Sequence, residues 1–452
     1  MKKEFLTVTL IMLTLTLTAF FSVFEVNAAG TSEYIKVGLK YSSTAVTSAT
    51  LQSEEGFQLI LVDSSGFSEG MPLPAYTTIQ VASENGAVVL RDESGTLLSS
   101  DLGSAGCIMP LDYQDDGVIR LDNVPYRGGI MFRVNSNGTM NVINYLSMEH
   151  YIYGVLNSEL HYSNPKEALK AQAVAARSFG SLSIGKHSSD GFDVCATTHC
   201  QVYKGYSGEY PATNQAVDET SGEVIYSQGN PVNAFYFKNS GGYTQNAEDV
   251  WSSAQSYLKS VKDPYCPSYP WSISLTFDNI KQKLEAAGYS PGTIESVAIS
   301  GKNSVGYVCD LQIKGSSNTI TLKKEQIRNV LGATVVKSLL FDLGEGTSGS
   351  GGVFISNGKS TAALNTDFYV ISGDNKITKQ KTDSRYCSNG TKLTSLTGAT
   401  MTQIVTGGTV TFIGYGYGHG VGMPQDSAVE MAKQGFAYDE ILKYYYTGIE
   451  IK

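Results

Sequence analysis

The sequence predicts an α+β fold in which antiparallel β-rich segments are combined with helices that line a cleft. Three observations lead to this prediction. Short alternating or apolar runs, broken by Gly, Ser, Asn and Asp, follow one another from Tyr34 to about Asn144. Two stretches with helical periodicity come directly after them, between Ser147 and Phe179. A strand–helix pattern over residues 271–343 then predicts a small inserted α+β unit.

The first 28 residues have the pattern of a targeting segment. Lys2 and Lys3 precede an apolar run from Phe5 to Phe24, and small residues at Val26 and Ala28 offer a cleavage site. The run approaches the roughly 20 residues that span a bilayer, so an uncleaved anchor is the alternative to a signal peptide. We expect the rest of the chain to work outside the cytoplasm, secreted or attached to a membrane through this leader alone.

Four further segments follow the leader. They are a β-rich N-terminal part (29–146), a core of helices and polar loops (147–270), the small α+β unit (271–343) and a C-terminal β segment with a glycine-rich loop and two helices (353–452). The six clearest runs in the β-rich part are IKVGLKY, FQLILVD, TIQVAS, GAVVLRD, IMFRVN and TMNVINYL. A Gly- and Ser-rich stretch precedes the last segment and is typical of a linker or long loop.

The composition excludes one class of partner. The formal net charge is −9, so there is no basic field to attract the phosphates of a nucleic acid. The same composition is compatible with a polysaccharide. The chain has 28 Tyr, and Tyr offers both an aromatic face and a hydroxyl group to a sugar.

The first predicted helix contains one residue that breaks its pattern. Ser147 can cap this helix, and Ile152, Val155 and Leu156 form its apolar stripe. The next position of the stripe is Glu159. A carboxyl group on an apolar face is poorly solvated, which raises its pKa. Glu159 is therefore either a partnered structural acid or a general acid that is protonated near neutral pH.

The second predicted helix begins with Asn164 as N-cap, Pro165 at the first position and Glu167 as the third residue of a capping box. Arg177 lies near its end and can point either back at Glu159, in a buried ion pair, or across the cleft at a ligand. Small residues recur on one face and predict close packing against another element: Leu169, Ala173, Ala176 and Gly180.

A compact cluster of metal-binding side chains follows these helices. Cys195, His199 and Cys200 lie within six residues, and His187 or His161 can complete four ligands, for which zinc is the preferred ion. A Cys195–Cys200 disulfide beside a surface His is the structural alternative. A Cys/His protease site is a third interpretation, but no oxyanion-forming turn accompanies it.

Six motifs occur in a defined order: SMEHYIYGVLNSEL, PKEALKAQAVAARSF, NSGGYT, AEDVW, SYLKSV and GYGHGVGMPQDSAVEMAKQGFAYDEILKYYYTGIEI. Together they resemble the stage II sporulation protein D family, which includes the amidase enhancers called LytB. This resemblance implies a lytic transglycosylase that acts on peptidoglycan, with Glu159 as the catalytic acid and Arg177 as an essential partner. Tyr257 and Lys259 match two further catalytic positions of the family.

The resemblance also implies binding residues and partners. Substrate-binding positions are expected at the two glycine-rich turns and beside them, at Ser240, Gly241, Gly242, His419 and Gln425. A structural zinc, not needed for the chemistry, is expected at Cys195, His199, Cys200 and His187. The implied partners are glycan strands of peptidoglycan and a cell-wall amidase.

Three alternatives remain open at this stage. The protein can be a non-catalytic, peptidoglycan-binding amidase enhancer, which keeps the cleft but tolerates loss of the Glu159 acid. A zinc amidase needs a His-rich site, and the chain has only 5 His. A glycoside hydrolase needs a second carboxylate, for which Asp193, Glu248 and Asp249 are the candidates.

Overall fold

The fold is a mixed α+β arrangement, as predicted. The computed structural model describes residues 33–345, apart from 64–65, 69, 114–116 and 252, and residues 403–452, together with short strands between 353 and 395. The described residues include eight α-helices: α1 (Met148–Glu159), α2 (Lys166–Leu182), α3 (Pro211–Asp218), α4 (Ala247–Val250), α5 (Phe277–Ala286), α6 (Gln326–Leu331), α7 (Gln425–Lys433) and α8 (Tyr438–Tyr445).

The strands are numbered along the chain. Those before α1 are β1 (Tyr34–Lys40), β2 (Ser48–Gln52), β3 (Phe57–Asp63), β4 (Gly66–Phe67), β5 (Met71–Leu73), β6 (Thr78–Glu84), β7 (Ala87–Arg91), β8 (Leu97–Ser99), β9 (Gly106–Pro110), β10 (Val118–Leu121), β11 (Val124–Arg127), β12 (Gly129–Val134) and β13 (Met140–Ser147).

The later strands as far as residue 345 are β14 (Val194–Cys195), β15 (Ile225–Ser227), β16 (Asn230–Pro231), β17 (Tyr236–Phe237), β18 (Pro270–Thr276), β19 (Ile294–Lys302), β20 (Val308–Gly315), β21 (Thr319–Lys323) and β22 (Phe341–Glu345). The last ten are β23 (Val353–Ser356), β24 (Thr361–Leu364), β25 (Asp367–Ile371), β26 (Ile377–Lys381), β27 (Tyr386–Ser388), β28 (Leu393–Ser395), β29 (Gln403–Val405), β30 (Thr409–Tyr415), β31 (Met423–Pro424) and β32 (Ile449–Ile451).

The β-rich N-terminal part forms two packed sheets. The first sheet has the order β14-β1-β13-β12-β9-β3-β4, with β5 on β3, and the second has the order β11-β10-β2-β6-β7-β8. Their facing side chains form one apolar core that includes Leu51 and Ile79 from the second sheet and Ile130, Phe132 and Val142 from the first. All six runs predicted as strands lie in these sheets, because alternating side chains suit a surface with one buried face.

Helices α1 and α2 follow the first sheet directly and pack closely on each other. Ser147 caps α1, as predicted, because its hydroxyl oxygen accepts a hydrogen bond from the N–H of His150 at 3.3 Å. The small-residue face of α2 also has its predicted role. A Cβ added at Gly180 would lie only 3.3 Å from the sulfur of Met148, so the residue at this position must be small.

The predicted capping box of α2 is wrong. The Glu167 carboxylate accepts a hydrogen bond from the main-chain N–H of Tyr438 at 2.8 Å instead of reaching back to its own helix start. The side-chain amide of Asn164 donates to the carbonyl of His161 at 2.8 Å. A tertiary contact with α8 thus replaces the local contact that the pattern indicates.

The C-terminal segment returns to the earlier parts of the chain. Strand β32 pairs with β15, and β31 runs parallel to β17. Strand β30 lies between β18 and β22, and β29 pairs with β19, so both join sheets of the small α+β unit. The boundaries of the predicted segments remain a prediction. The predicted leader lies outside the described residues, and no helix within them has the length and apolar character needed to cross a membrane.

Candidate active site

Glu159 is the last residue of α1 and its carboxyl group is half-buried. Its Oε1 accepts a hydrogen bond from the N–H of Val202 at 3.4 Å, and the side chains of Gln425 and Tyr236 present polar groups near the carboxyl group. Burial raises the pKa of Glu159, and these three neighbours oppose the shift without cancelling it. The group therefore keeps its proton to a higher pH than an exposed glutamate, yet donors that stabilise its ionised form surround it.

Two further side chains fix the hydroxyl group of Tyr236. The amide of Gln201, which is 1% exposed, donates to the Tyr236 oxygen at 3.0 Å, and the Tyr151 hydroxyl donates to the Gln201 carbonyl oxygen at 2.9 Å. Because the Tyr236 oxygen already accepts a hydrogen bond, its own hydrogen is available for the Glu159 carboxyl group. The sequence analysis missed Gln201 and Tyr236. The available signals were that Gln201 follows the Cys/His cluster and that Tyr236 lies in the strand before NSGGYT.

Arg177 does not contact Glu159. Its Nε and Nη2 bind the two carboxylate oxygens of Glu149 at 2.8 and 2.6 Å, and its other donors reach the carbonyl groups of Glu223 at 3.1 Å and Val217 at 3.4 Å. The side chain is 1% exposed. The first alternative for Arg177, an ion pair with Glu159, is therefore not formed, and this placement argues against the second, direct contact with a ligand. The helix stripe located Glu159 correctly, but spacing alone could not distinguish Glu149 from Glu159 as the partner of Arg177.

The structure brings together the four predicted metal ligands. One ligand atom from each of His187, Cys195, His199 and Cys200 lies within 4.8 Å of every other. The His199 Nδ1 is 3.6 Å from each sulfur, and the His187 Nε2 is 3.4 Å from the sulfur of Cys200. Tetrahedral zinc with normal bond lengths sets sulfur and nitrogen ligands about 3.5 Å apart. His187, rather than His161, is thus the fourth member of the cluster.

The chemistry of these donors also fits a metal ion. Both cysteines are free thiols, so the structure does not support the disulfide alternative. Burial lowers the pKa of His187 and so favours the neutral imidazole that binds metals. Burial raises the pKa of Cys195, but the hydrogen bonds of Thr197 and His199 outweigh it and bring the pKa to about 6. Burial raises the pKa of Cys200, so a cation is needed to keep both sulfurs ionised.

The residues that directly follow the Cys/His cluster connect it to Glu159. Cys200 is followed immediately by Gln201, which orients Tyr236, and by Val202, whose N–H bonds to Glu159. On the other side of the cluster, β14 ends at Cys195 and pairs with β1. An ion bound by this loop therefore also fixes the positions of Val202, which contacts Glu159, and of Gln201, which contacts Tyr236.

Of the predicted substrate-binding residues, Gln425 lies at Glu159 and Ser240 does not. The Gln425 amide donates to the main-chain oxygen of Glu159 at 3.1 Å. Ser240 has no exposed surface, and its hydroxyl donates to the buried carboxylate of Asp263 at 2.5 Å. The same Asp263 oxygen accepts a hydrogen bond from Ser427 at 2.6 Å. Ser240 therefore supports the packing between its turn and α7, which argues against a direct contact with substrate.

The two glycine-rich turns pack on each other. Gly241 and Gly242 both have positive φ, at 67° and 117°, and a Cβ at Gly416 would lie 2.7 Å from the carbonyl oxygen of Asn239. The close approach at these glycines is thus between two parts of this chain. Whether Gly241 or Gly242 also contacts substrate stays a prediction.

His419 holds the strand that carries Tyr236. Its ring lies among Phe235, Phe237 and Trp251, and its Nδ1 accepts a hydrogen bond from the N–H of Val421 at 3.1 Å. Burial lowers the pKa of His419 to about 4, so the ring is neutral and carries its proton on Nε2. That N–H bonds to the main chain of Tyr236. His419 is a positioning residue for Tyr236 in this structure.

Tyr257 and Lys259 are not bonded to Glu159 in the part of the chain that the structure describes. The Tyr257 side chain is 8% exposed, and its hydroxyl oxygen accepts a hydrogen bond from the N–H of Asn233 at 3.3 Å. The Lys259 ammonium group pairs with Glu248 at 3.0 Å and is partly exposed. Lys259 is free to exchange this exposed partner for a ligand, whereas Tyr257 is held inside the core.

Comparison with known proteins identifies the family. A sequence profile described as "Stage II sporulation protein" matches residues 136–226, which contain α1, α2 and the Cys/His cluster. The stage II sporulation protein D of Bacillus subtilis (strain 168) is 30% identical over 324 residues, which are 68% of this chain and 74% of the relative. The chain belongs to the stage II sporulation protein D family.

Two other relatives extend the comparison. The amidase enhancer of Bacillus subtilis (strain 168) is 31% identical over 380 residues, which cover 81% of this chain but only 50% of the enhancer. An uncharacterized protein of Brachyspira hyodysenteriae is 32% identical over 336 residues, 73% of each chain. A second profile, for a domain of unknown function, matches residues 245–358. The family resemblance that the motifs indicated is therefore confirmed.

Proposed function

We propose that this protein is a lytic transglycosylase that cleaves the bond between N-acetylmuramic acid and N-acetylglucosamine in peptide-stripped glycan strands. It would act outside the cytoplasm, as the pattern of the first 28 residues predicts, in sporulation or cell-wall remodelling, in line with its relatives named stage II sporulation protein D and amidase enhancer. The observation that supports this best is the environment of Glu159. A single carboxyl group with a raised pKa is surrounded by three hydrogen-bond donors, as an acid that must give up a proton and take it back requires.

One carboxyl group is enough for this reaction because the substrate supplies the nucleophile. Protonated Glu159 donates its proton to the glycosidic oxygen as the bond from that oxygen to the muramic acid C1 breaks. The C6 hydroxyl of the same muramic acid forms the new bond to C1, and its proton passes to the Glu159 carboxylate. The product has a 1,6-anhydro end, no water is consumed, and Glu159 returns to its starting state.

The neighbours of Glu159 serve the two halves of this cycle. Burial favours the protonated acid at the start. The hydrogen bonds from Val202, Gln425 and Tyr236 stabilise the carboxylate that forms when the proton leaves. Gln201 orients the Tyr236 hydroxyl without itself contacting the acid. Arg177 acts through structure, by tying α2 to Glu149 in α1.

The candidates for a second carboxylate are engaged elsewhere. Asp193 accepts hydrogen bonds from the N–H groups of Lys36 and Gly185, both at 2.8 Å. Glu248 pairs with Lys259, and Asp249 accepts a hydrogen bond from Asn246 at 3.0 Å. A hydrolase that uses two carboxylates at one bond is therefore less compatible with these contacts than a transglycosylase.

The test is to identify the product. Purified protein is incubated with peptide-stripped glycan strands in water enriched in ¹⁸O, and the released fragments are weighed by mass spectrometry. We expect 1,6-anhydro ends without the isotope, because no water enters the reaction. Reducing ends that carry ¹⁸O would show hydrolysis, and the mechanism above would then be wrong.

A structural zinc at His187, Cys195, His199 and Cys200 is part of this proposal. When bound, the ion supplies charge neutralisation for the two sulfurs and holds the loop in place. The residues that follow the loop then keep their positions at Glu159. The ion takes no part in proton transfer, because Glu159 and its donors supply the groups that the reaction needs.

Loss of the metal is expected to destabilise the protein. We expect about one zinc per chain by elemental analysis. Cys200→Ser or a strong chelator should remove the metal and lower Tm by about 3–5 °C, since a few kcal/mol of loop stabilisation is lost. Cys309→Ser is the matched control, because Cys309 is a half-buried thiol outside the cluster. A protein that purifies without metal and has an unchanged Tm would contradict the assignment.

The second candidate function is a non-catalytic glycan-binding activator of a cell-wall amidase. The relative named amidase enhancer and the burial of Arg177 and Tyr257 favour it. The two functions differ in one requirement. An activator must bind glycan and stimulate an amidase equally well after Glu159→Gln, whereas a transglycosylase must lose its product.

A further inference from the structure

A polar cavity of about 580 Å³ lies on the side of the N-terminal sheets away from their shared core. Its lining includes Gln52, Thr78 and Arg120 from the second sheet and Tyr206 from the loop between Val202 and α3. None of these residues takes part in the chemistry proposed for Glu159. The cavity therefore requires a separate explanation.

Strand register places the sheet residues of the cavity in one row. Arg120 on β10 is opposite Gln52 on β2, and Gln52 is opposite Thr78 on β6. The next row consists of Leu121, Leu51 and Ile79, all at most 2% exposed and all in the core. Because side chains alternate along a strand, the row with Arg120 points outward. Three adjacent strands thus present a guanidinium, an amide and a hydroxyl group to the same space.

Tyr206 forms an aromatic wall whose position is fixed. The guanidinium of Arg127 lies 5.1 Å from the centre of the Tyr206 ring. Arg127 is itself held by Glu209, with Nε–Oε1 and Nη2–Oε2 distances of 2.7 and 3.1 Å. The Tyr206 side chain nevertheless remains 43% exposed. A ring that is packed on one side and exposed on the other is a preorganised stacking surface for a flat ligand.

The guanidinium of Arg120 is the cationic group of the cavity lining. Arg120 is exposed and forms no ion pair within the described residues, although the acidic residues Glu54 and Asp112 also line the cavity. Its guanidinium is therefore available to a carboxylate of a ligand.

The cavity lies within reach of the candidate active site. Tyr206 is four residues after Val202, which bonds to Glu159, and four extended residues span at most about 14 Å. The loop that carries Tyr206 also packs on α1, where the N–H of Lys204 donates to the carbonyl of Gly154 at 3.1 Å. A chain-like ligand bound at Glu159 can therefore extend to Tyr206.

We infer that this cavity is a second saccharide subsite, which binds the glycan strand at a muramic acid distant from the scissile bond. One sugar ring stacks on Tyr206, and the lactyl carboxylate of N-acetylmuramic acid binds Arg120. Gln52 and Thr78 bond to hydroxyl and acetamido groups. The identity of the glycan rests on the proposed function, whereas the presence of a saccharide site does not require catalysis.

The experiment measures binding separately from turnover. Peptide-stripped glycan oligosaccharides, several disaccharides long, are titrated calorimetrically into the full chain carrying Glu159→Gln, which does not consume them. Adding Tyr206→Ala is expected to raise Kd about 10-fold, and adding Arg120→Gln about 5-fold. Arg91→Gln is the charge-matched control on the same sheet, because Arg91 is paired with Glu84 and does not line the cavity.

A second ligand tests the role of Arg120. Chitooligosaccharides of equal length lack the lactyl carboxylate, so they should bind more weakly than the muramic strands, and Arg120→Gln should remove most of this difference. Unchanged affinities in both variants would overturn the inference, even if the wild-type enzyme releases anhydro ends. Competition by free stem peptide would also overturn it, because the cavity would then bind peptide. Weaker binding in both variants without any wild-type turnover would support the subsite and refute the proposed reaction.

Discussion

Replacing Glu159 with Gln is expected to lower the rate of anhydro-end release by about 10³-fold or more, while glycan binding changes by less than about threefold. Gln has nearly the same shape as Glu and can still accept the hydrogen bond from Val202. It cannot supply or receive the proton on which both halves of the reaction depend. Glu430→Gln on the surface of α7 is the matched control, because the Glu430 carboxylate pairs with Lys433, away from Glu159. Retained amidase stimulation without any wild-type glycan cleavage would instead identify an activator.

The pH dependence of the same assay tests the state of Glu159. The reaction needs the protonated acid, so the rate should fall as pH rises through the pKa of Glu159. Burial raises this pKa, so the fall should occur above the pH range of an ordinary glutamate, about 4.3. Tyr236→Phe removes a hydrogen bond that lowers the pKa and should move the fall to still higher pH. A fall at the same pH in both proteins would assign it to another group.

Arg177→Met is expected to destabilise the protein by about 3–5 kcal/mol, because it leaves the Glu149 carboxylate and two carbonyl groups without their buried donor. The corresponding decrease in Tm is about 4–6 °C for a chain of this length. Thermal unfolding of Arg177→Met, Glu149→Gln and the double variant measures this contribution. We expect strong coupling, so the double variant should lose less stability than the sum of the single variants.

An exposed pair of the same chemistry provides the control for Arg177. Arg91 and Glu84 form a 3.0 Å pair in which both side chains are more than a third exposed. Arg91→Met should cost at most about 1 kcal/mol. If Arg177→Met abolishes activity at low temperature without lowering Tm, Arg177 contacts substrate, and the purely structural role given to it here is wrong.

Local patterns were enough to predict most elements of this fold. Residue spacing predicts features that depend on contacts within one helix or between neighbouring helices. These features are the Ser147 cap, the apolar stripe of α1 and the small residues of α2. The hairpin of β15 and β16 also depends on local contacts. Its loop residues Gln228 and Gly229 have φ values of 52° and 80°, which suit a tight two-residue turn.

The site was predictable only where one residue carried the signal. Glu159 stood out because it interrupts an apolar stripe, and the Cys/His cluster because its ligands are close in sequence. The sequence around Tyr236 and Gln201 contains no comparable signal. Their role depends on β17, β31 and the loop after Cys200 meeting in three dimensions. The sequence could not identify the partner of Arg177 for the same reason, since Glu149 and Glu159 lie on one helix and only tertiary packing selects between them.

The contact between Gln425 and Glu159 has a consequence for the newly made protein. These residues are 266 positions apart, and synthesis proceeds from the N-terminus to the C-terminus. The acid is therefore present long before the amide that binds its helix end, and the site closes only when the last tenth of the chain joins the first two helices. A nascent or prematurely terminated chain has Glu159 but lacks the assembled site. Any reaction proposed for Glu159 therefore requires the completed chain.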